Sequence, residues 1–162
     1  MSTQNLSEYD MEGLPSKEAV AEQKYAIAVA DWNPRVTHAL LQGAIDALIK
    51  SGVKSNNIKL VHVPGTFELI YAASQLVDSE ENYAAVIALG CVIRGETPHF
   101  DYICEGVATG IAKLNTECLN PIIFGVLTTS NLQQALDRSG GIHGNKGVEA
   151  AITAIKMANI VW

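Results

Sequence analysis

Four short and almost uninterrupted apolar runs recur along the chain, at residues 25–30, 58–63, 84–93 and 122–127. Continuous apolar character is typical of strands that are covered on both faces, as in a parallel sheet. Helical patterns separate the runs, and strands that alternate with helices indicate βαβ units. We therefore predict an α/β fold, a three-layer α/β/α sandwich with a four-stranded, flavodoxin-like parallel sheet.

Local signals mark where three of the helices begin. A capping residue stands directly before a proline at 33–34 and again at 97–98, and Ser130 forms a capping box with Gln133. Together with the apolar stripes, these signals predict helices over residues 34–52, from about 66 onward, over 98–116 and 130–138, and from 146 to 162.

The length of 162 residues suits one domain, which at this size buries roughly 70% of the surface of its unfolded chain. We predict that residues 24–162 form this domain. Residues 1–23 are polar and acidic and have no sustained period. They are expected to form an arm that is mobile or ordered against a neighbour, to whose sheet it can add a strand.

Charge and cysteine content exclude several classes of partner. The net charge of −6 argues against binding to nucleic acid or to an acidic membrane. No apolar run approaches the roughly 20 residues of a membrane span, and the N-terminus lacks the layout of a signal peptide. Cys91, Cys104 and Cys118 stand in apolar stretches, so we expect buried, reduced thiols in a cytoplasmic protein.

Neither a metal nor a nucleotide cofactor is expected. The glycine-rich segment 144–147 invites comparison with a phosphate-binding P-loop, but the required G-x-x-x-x-G-K-[ST] pattern is absent. No G-x-G-x-x-G follows a predicted strand, and the three cysteines lack the spacing of metal ligands.

Residues 89–102 combine the end of a buried strand, a glycine-flanked turn and the first turn of a helix. The backbone N–H groups at such a helix start lack partners and can hold an anion such as phosphate. His99 falls at this junction, so a side chain that can give and take protons stands beside a potential phosphate site. His38 and His143 are predicted to be surface residues, and His62 to be a hydrogen-bonded core residue.

Five further side chains lie at or near strand and helix ends, and four of them have two interpretations. Arg138 either complements the dipole at the end of its helix or clamps a phosphate with its guanidinium group. Glu68 can simply complement the dipole of the helix that it begins. Trp32, Phe67 and Phe124 are either core aromatics or surfaces that stack on a planar heterocycle.

Several segments together resemble the lumazine synthase family of riboflavin biosynthesis. The most specific is the block Gly-x-Val-Ile-Arg-Gly-x-Thr-x-His at residues 90–99. The other matching segments follow in the family's order, within a resemblance that covers the chain from about residue 25 to residue 162: 31–33, 63–68, 123–129 and 144–147.

The resemblance implies an enzyme of the transferase class, a 6,7-dimethyl-8-ribityllumazine synthase. The reaction condenses 5-amino-6-(D-ribitylamino)uracil with 3,4-dihydroxy-2-butanone 4-phosphate, and it releases the lumazine, inorganic phosphate and water. This is the penultimate step of riboflavin biosynthesis. The family uses no metal and no cofactor for it, so the implied partners are two small-molecule substrates.

The resemblance also implies roles for individual residues. His99 is expected to move protons, and Arg138 to hold the phosphate of the butanone together with the backbone N–H groups of Glu96 and Thr97. Trp32 is expected to stack on the pyrimidine, with Phe124 from an adjacent subunit on the other side. The remaining contacts implied for the ribitylaminouracil are those of Thr66, Phe67 and Glu68 with the ribityl chain and ring edge, of the backbone of Cys91, Val92 and Ile93 with the uracil, and of Lys146 with the pyrimidine.

Three positions depart from the commonest bacterial pattern of the family. Trp32 replaces a phenylalanine and Thr66 replaces a frequent alanine, and both changes preserve the implied contacts. Glu96 replaces alanine or serine beside the phosphate, which its carboxylate would repel. Our hypothesis is that only its backbone contributes, while the carboxylate turns to solvent or pairs with a cation such as Arg94.

Members of the family form pentamers whose sites are shared between neighbours, and many close twelve pentamers into an icosahedral shell. The short connection over residues 138–146 favours the shell for this chain, whereas the long arm leaves a pentamer or decamer open. Two other functions stay open as well. A flavin carrier or a non-catalytic shell protein would not need both His99 and Arg138, and an archaeal-type riboflavin synthase would act on two lumazines without releasing phosphate.

Overall fold

A computed structural model describes residues 13–161 and contains one four-stranded parallel sheet in the order β2-β1-β3-β4. The strands are β1 (Tyr25–Ala30), β2 (Ile58–Val63), β3 (Ala85–Ile93) and β4 (Ile122–Thr129). The predicted α/β/α sandwich with a flavodoxin-like parallel sheet is confirmed. All four predicted strands are present, and β4 continues two residues further than predicted.

Six helices cover or flank this sheet in the described part of the chain. They are α1 (Lys17–Val20), α2 (Pro34–Lys50), α3 (Leu69–Val77), α4 (His99–Glu117), α5 (Leu132–Arg138) and α6 (Lys146–Ala158). A 3₁₀ turn precedes β2 at Ser55–Asn57, and a small antiparallel ladder joins β5 (Ser139–Gly141) to β6 (Gly144–Asn145). None of the described helices is long and apolar enough to cross a membrane.

Alternate side chains of the central strands enter two separate cores. Tyr25, Ile27 and Val29 of β1 pack with α2 and α6, whereas Ala26 and Ala28 pack with α3 and α4 on the other face. Strand β3 divides its residues in the same way, because successive side chains of a strand point to opposite faces. Each fully buried Leu, Ile or Val contributes about 1.5–3 kcal/mol to folding, so these strands are firmly held.

The prediction that all four strands are covered on both faces is wrong for the two outer strands. Strand β1 is buried throughout, whereas β2 contains no buried residue and Phe124 on β4 is 43% exposed. Both outer strands lack a neighbour on one side in the described chain. An edge strand keeps an apolar sequence for the face that it does bury, so apolar content alone does not separate it from a central strand.

Two other burial predictions are also corrected. His62 lies on the edge strand β2 and is exposed, although it does form a hydrogen bond, to Asp31. Cys91, Cys104 and Cys118 are all free thiols, but only Cys91 is buried. His38 is exposed as predicted, whereas His143, predicted to be a surface residue, is half-buried.

The helix starts are where predicted to within a few residues, but the capping groups differ. Asn33 has a left-handed conformation (φ 61°) and forms no capping hydrogen bond to α2. Helix α4 follows Pro98 and receives no side-chain cap from Thr97. The cap of α5 is Asn131, which accepts a hydrogen bond from the N–H of Gln134, one residue beyond the predicted Ser130 box.

Part of the predicted N-terminal arm packs on the domain of its own chain. The short helix α1, which was not predicted, is capped by Ser16. Its Val20 is fully buried in the core beneath α2 and α6, and Leu14 packs against the same core. Residues 1–12 lie outside the described residues, and so does the strand predicted to join a neighbour.

Gly147 allows α6 to approach α2 at close range. A Cβ atom at this position would overlap the backbone carbonyl oxygen of Leu40 in α2. Because that oxygen atom belongs to the backbone of a helix, the overlap can be removed only if α2 and α6 move apart. This packing explains one glycine of the P-loop-like segment 144–147 without any bound phosphate.

We predict that Gly147→Ala lowers the free energy of unfolding by at least about 1–3 kcal/mol, because the overlap outweighs the better helix propensity of alanine. Urea unfolding at one fixed protein concentration measures the change. Gly95→Ala is the matched control, since a Cβ atom at Gly95 would have no neighbour within 4 Å. Equal midpoints for the two variants would contradict the close α2–α6 contact.

Candidate active site

A cavity of about 390 Å³ opens beyond the carboxyl ends of β1 and β3. Crevices at this edge of a parallel sheet are the usual ligand sites of open α/β folds. The lining residues include eight of the predicted ones, and two further residues, Asn33 and Ile103, complete the set: Trp32, Asn33, Thr66, Phe67, Glu68, Cys91, Val92, Ile93, His99 and Ile103.

The edge of β3 faces this cavity without a strand beside it. Pairing between β1 and β3 ends at Leu89, whereas β3 continues alongside β4 as far as Ile93. Residues 90–93 therefore have one backbone edge free of strand pairing. An open strand edge offers donors and acceptors in a fixed spacing, which suits a flat heterocycle with several polar groups.

One of these backbone groups already has partners within the chain. The carbonyl oxygen of Cys91 accepts hydrogen bonds from Asn33 Nδ2 at 3.0 Å and from Thr66 Oγ1 at 3.4 Å. Both lone pairs of that oxygen are thereby engaged. Burial raises the pKa of the Cys91 thiol to about 12, so the thiol stays protonated and is not a nucleophile near neutral pH.

Two exposed aromatic rings stand at the cavity. Trp32 is 66% exposed and Phe67 is 48% exposed, so both are surfaces rather than core residues. The loop that carries Trp32 is attached to the end of β2, because the Trp32 N–H donates to the Pro64 carbonyl oxygen at 3.0 Å. Gly65 leaves room here, since a Cβ atom at Gly65 would come within 2.8 Å of both the Trp32 ring and Glu68 Oε2.

His99 is the first residue of α4 and is exposed at the cavity wall. The preceding loop is anchored at Arg94, whose N–H donates to the Thr129 carbonyl oxygen at 2.9 Å. The Arg94 guanidinium donates two hydrogen bonds to Asp101, at 2.6 and 3.2 Å, and lies 4.2 Å from the centre of the Phe100 ring. The Arg94 guanidinium, suggested above as a partner for Glu96, is thus already paired with Asp101. The Glu96 side chain is exposed.

Three predicted site residues lie on a different surface: Phe124 on β4, Arg138 at the end of α5 and Lys146 at the start of α6. They line a groove of about 670 Å³ that shares no lining residue with the first cavity. Glu96 and Thr97 are exposed on the loop before α4 and line neither cavity. The described chain therefore divides the predicted site residues between two surfaces and the loop before α4.

Each of the two cations on this second surface has a partner within the chain. Arg138 Nη1 donates to the carbonyl oxygen of Gln134 at 2.9 Å, which is the helix-end contact considered for it. Lys146 Nζ lies 2.5 and 2.7 Å from the two carboxylate oxygens of Glu149. The hydroxyl of Thr129 in the same groove is buried and has no hydrogen-bond partner among the described residues.

Asn33 and Glu149 were not among the predicted site residues. The sequence Asn33–Pro34 is typical of a helix cap, and although asparagine tolerates the left-handed backbone, no local pattern indicates that its amide reaches Cys91. The pairing of Lys146 with Glu149 could have been found from the sequence, since residues three apart on a helix are neighbours.

Comparison with known proteins identifies the family. A family model described as 6,7-dimethyl-8-ribityllumazine synthase matches residues 22–161. The chain belongs to the lumazine synthase family. The resemblance seen in the motifs is therefore confirmed over nearly the whole described chain.

Three named members of the lumazine synthase family are each identical to this chain at slightly more than half of the aligned positions. A 6,7-dimethyl-8-ribityllumazine synthase of Porphyromonas gingivalis is 54% identical over 156 residues, which cover 96% of this chain and 94% of the relative. One of Parabacteroides distasonis is 53% identical and covers 96% and 95%. One of Flavobacterium johnsoniae is 51% identical and covers 96% and 80%.

The ion pair that holds the start of α4 in this lumazine synthase fold depends on pH. The Arg94 hydrogen bonds hold the pKa of the Asp101 carboxyl below its usual value. A carboxyl with a lowered folded-state pKa stabilises the folded chain above the unfolded value of about 3.9, and this contribution is lost as the pH falls through the folded pKa. Because both groups are exposed, the effect is small.

We predict that Asp101→Asn lowers the thermal midpoint at neutral pH and that this effect becomes smaller as the pH is lowered to about 2, because the wild-type carboxyl is progressively protonated as well. Thermal unfolding at both pH values measures the difference. Glu105→Gln, one turn further along α4, is the control, because it removes the same charge without breaking the Arg94 pair. An Asp101→Asn effect of equal size at both pH values would contradict the ionic origin.

Proposed function

We propose that this chain catalyses the condensation of 5-amino-6-(D-ribitylamino)uracil with 3,4-dihydroxy-2-butanone 4-phosphate to 6,7-dimethyl-8-ribityllumazine, phosphate and water. We further propose that two adjacent copies of the chain build each site. The observation that carries this proposal is the separation of Trp32 and His99 from Phe124 and Arg138 on two surfaces of one chain. Both surfaces are needed if one site is to hold both substrates.

The cavity beside β3 is suited to the ribitylaminouracil. The exposed indole of Trp32 offers a flat face for the pyrimidine, and the free edge of residues 90–93 offers backbone groups to its polar atoms. Because the Cys91 carbonyl already has two donors and the backbone groups of Val92 point towards β4, we assign the backbone contacts with the uracil chiefly to Ile93. The exposed carboxylate of Glu68 accepts hydrogen bonds from the ribityl hydroxyls, and Thr66 and Phe67 bound that chain.

His99 is proposed as the proton-transfer group. It stands at the cavity wall on the first turn of α4, where it is accessible to both reactants. The substrate amine attacks the ketone and water leaves, phosphate is eliminated, and a second condensation closes the pyrazine ring. Each of these steps moves a proton, so one group that both accepts and donates protons can serve all of them. Holding the two substrates in register supplies much of the remaining acceleration.

The phosphate is proposed to lie between the start of α4 in one copy and Arg138 of its neighbour. The backbone N–H groups of Glu96 and Thr97 stand just before α4, where the helix dipole favours an anion. Arg138 uses one N–H donor on Gln134, and a guanidinium group has four more for phosphate oxygens. The Glu96 side chain is exposed, so we assign only its backbone to this site.

Phe124 and Lys146 are proposed to reach the same shared site from the neighbour. Phe124 is 43% exposed on β4 and would cover the face of the pyrimidine opposite Trp32. For Lys146, contact with the pyrimidine competes with its pair with Glu149, in which both side chains are largely buried. We therefore expect Lys146 to contribute less to substrate binding than Arg138 does.

We also propose that the chain forms pentamers and that twelve pentamers close into an icosahedral shell in the cytoplasm. In a pentamer every copy has one neighbour on each side. The cavity of each copy then meets the groove of one neighbour that is lined by Phe124, Arg138 and Lys146. The connection from α5 to α6 is the short β5–β6 ladder, without an insertion. The three free cysteines fit a reducing compartment.

Sedimentation velocity tests the assembly on the full chain. We predict one fast boundary with the mass of sixty copies, since heterologous contacts that close around a fivefold axis leave edges that can join further pentamers. A single boundary at the mass of a pentamer or a decamer would exclude the shell while leaving the shared site intact.

The activity is tested by following the absorbance and fluorescence of the lumazine and the release of phosphate after both substrates are mixed with the protein. We predict rapid product formation, a loss of at least about 100-fold in kcat/KM with Arg138→Ala, and a smaller loss with His99→Asn. Glu96→Ala should change the KM for the phosphorylated ketone by less than about tenfold, because its exposed charge is screened.

Arg35→Ala is the control for Arg138→Ala, since it also removes one arginine but at an exposed position that lines neither cavity. Binding of the ribityl substrate without any product would move the function to a carrier or a non-catalytic shell protein. Formation of a flavin from the lumazine without phosphate release would indicate the riboflavin synthase alternative.

The shared site is tested by refolding the His99→Asn and Arg138→Ala chains together. If His99 and Arg138 of one site come from different copies, random mixing restores both residues in about a quarter of the sites. The mixture should then be more active than either variant refolded alone. If both residues act within one copy, mixing restores nothing, and the two-copy site is wrong even though the activity stands.

A further inference from the structure

Three side chains with metal-binding atoms converge outside the set of residues assigned to the reaction. Asp31 follows β1, His38 lies on α2 and His62 lies on β2. Asp31 Oδ1 is 2.6 Å from His62 Nδ1 and 3.9 Å from His38 Nε2. One ligand atom from each of the three residues can be chosen so that all lie within 4.8 Å of one another.

The sheet and α2 hold this cluster, which therefore does not depend on a long loop. His62 pairs in register with Val29 of β1, and the N–H of Asp31 donates to the carbonyl oxygen of Val63 at 2.8 Å. His38 is next to the fully buried Thr37 on α2. The two imidazole rings meet edge to face, with centroids 6.2 Å apart and an interplanar angle of 81°.

A simple ion pair accounts for only part of this arrangement. The hydrogen bond between Asp31 and His62 explains why these two side chains meet. His38 approaches the same carboxylate oxygen at 3.9 Å, which is too far for a hydrogen bond. A third nitrogen within 4 Å of a carboxylate–imidazole pair places three potential ligand atoms close enough for small side-chain rotations to bring them to one cation.

The donor set defines the class of ion. Two imidazoles and one carboxylate suit Zn²⁺ and its neighbours Co²⁺, Ni²⁺ and Cu²⁺ rather than Mg²⁺ or Ca²⁺, which prefer oxygen ligands alone. Metal bonds of about 2.0–2.2 Å put neighbouring ligand atoms about 3.0–3.5 Å apart. Because the three side chains are about half exposed, small rotations can bring them into this range, and water can fill the outer positions.

We propose that Asp31, His38 and His62 form a binding site for a divalent transition-metal ion. The ion connects Asp31, in the segment after β1, to α2 and to β2. Asp31 directly precedes Trp32, whose ring is exposed. The site supplies no step of the condensation reaction. It stabilises the position of the segment that presents Trp32 to the cavity.

Calorimetric titration of the full-length, tag-free protein with Zn²⁺ alone tests the site. We expect one Zn²⁺ ion per chain, and at least about tenfold weaker binding for His38→Ala and for His62→Ala, as a lost ligand reduces metal affinity strongly. His99→Ala is the matched control: it also removes one exposed histidine and should bind Zn²⁺ like the wild type.

His38→Ala changes an exposed helix position, so the test does not depend on a variant that fails to fold. Absence of stoichiometric binding by the wild type at up to millimolar Zn²⁺ would overturn the proposal. Binding by His38→Ala and His62→Ala that equals the wild type would overturn it as well, because the ion would then bind elsewhere.

Fluorescence quenching by Cu²⁺ tests whether the ion lies beside Trp32. The measurement uses a Trp162→Phe background, in which Trp32 is the remaining tryptophan. We expect Cu²⁺ to quench the emission at one equivalent and to lose this effect when His38→Ala is added. Equal quenching with and without His38 would contradict a metal site at this position.

Discussion

The register between β1 and β3 is the constraint on which the site depends. Their pairing ends at Leu89, and β3 then runs on beside β4 as far as Ile93. Because both strands bury alternate residues in two different cores, a slip by one residue would move Tyr25, Ile27 and Val29 into the core that holds Ala26 and Ala28, and both cores would be mispacked. The free edge of residues 90–93 and the position of His99 at the start of α4 both follow from this register.

A second consequence of the sheet order is that the edge strand β4 faces away from the cavity. The predicted site residues on it and on α5 and α6 line a groove that shares no residue with the cavity of Trp32. Phe124 is exposed on this edge strand, and Arg138 lies at the end of α5 with most of its guanidinium donors uncommitted to Gln134. In the proposed two-copy site a neighbouring copy brings its cavity against these two side chains, so that proposal makes oligomerisation a requirement for catalysis.

Much of the fold could be predicted from the sequence because its strongest signals are local. The four apolar runs mark the four strands, and the alternation with helices indicates a parallel sheet, which the structure contains. The capping predictions for Asn33 and Ser130 were less successful, since several neighbouring residues can cap a helix and tertiary contacts select among them. His62 was placed in the core because an edge strand and a central strand have similar apolar content.

The sequence by itself determined the strands, the chemistry of the residues around His99 and the membership of the lumazine synthase family, because these depend on residue types at fixed short spacings. Only the tertiary structure decided that Asn33 donates to Cys91, that Asp31 meets two histidines, and that the predicted site residues divide between two surfaces. Such contacts join residues far apart in the chain. Their partners are set by strand order and by the crossing of helices over the sheet, neither of which a local pattern records.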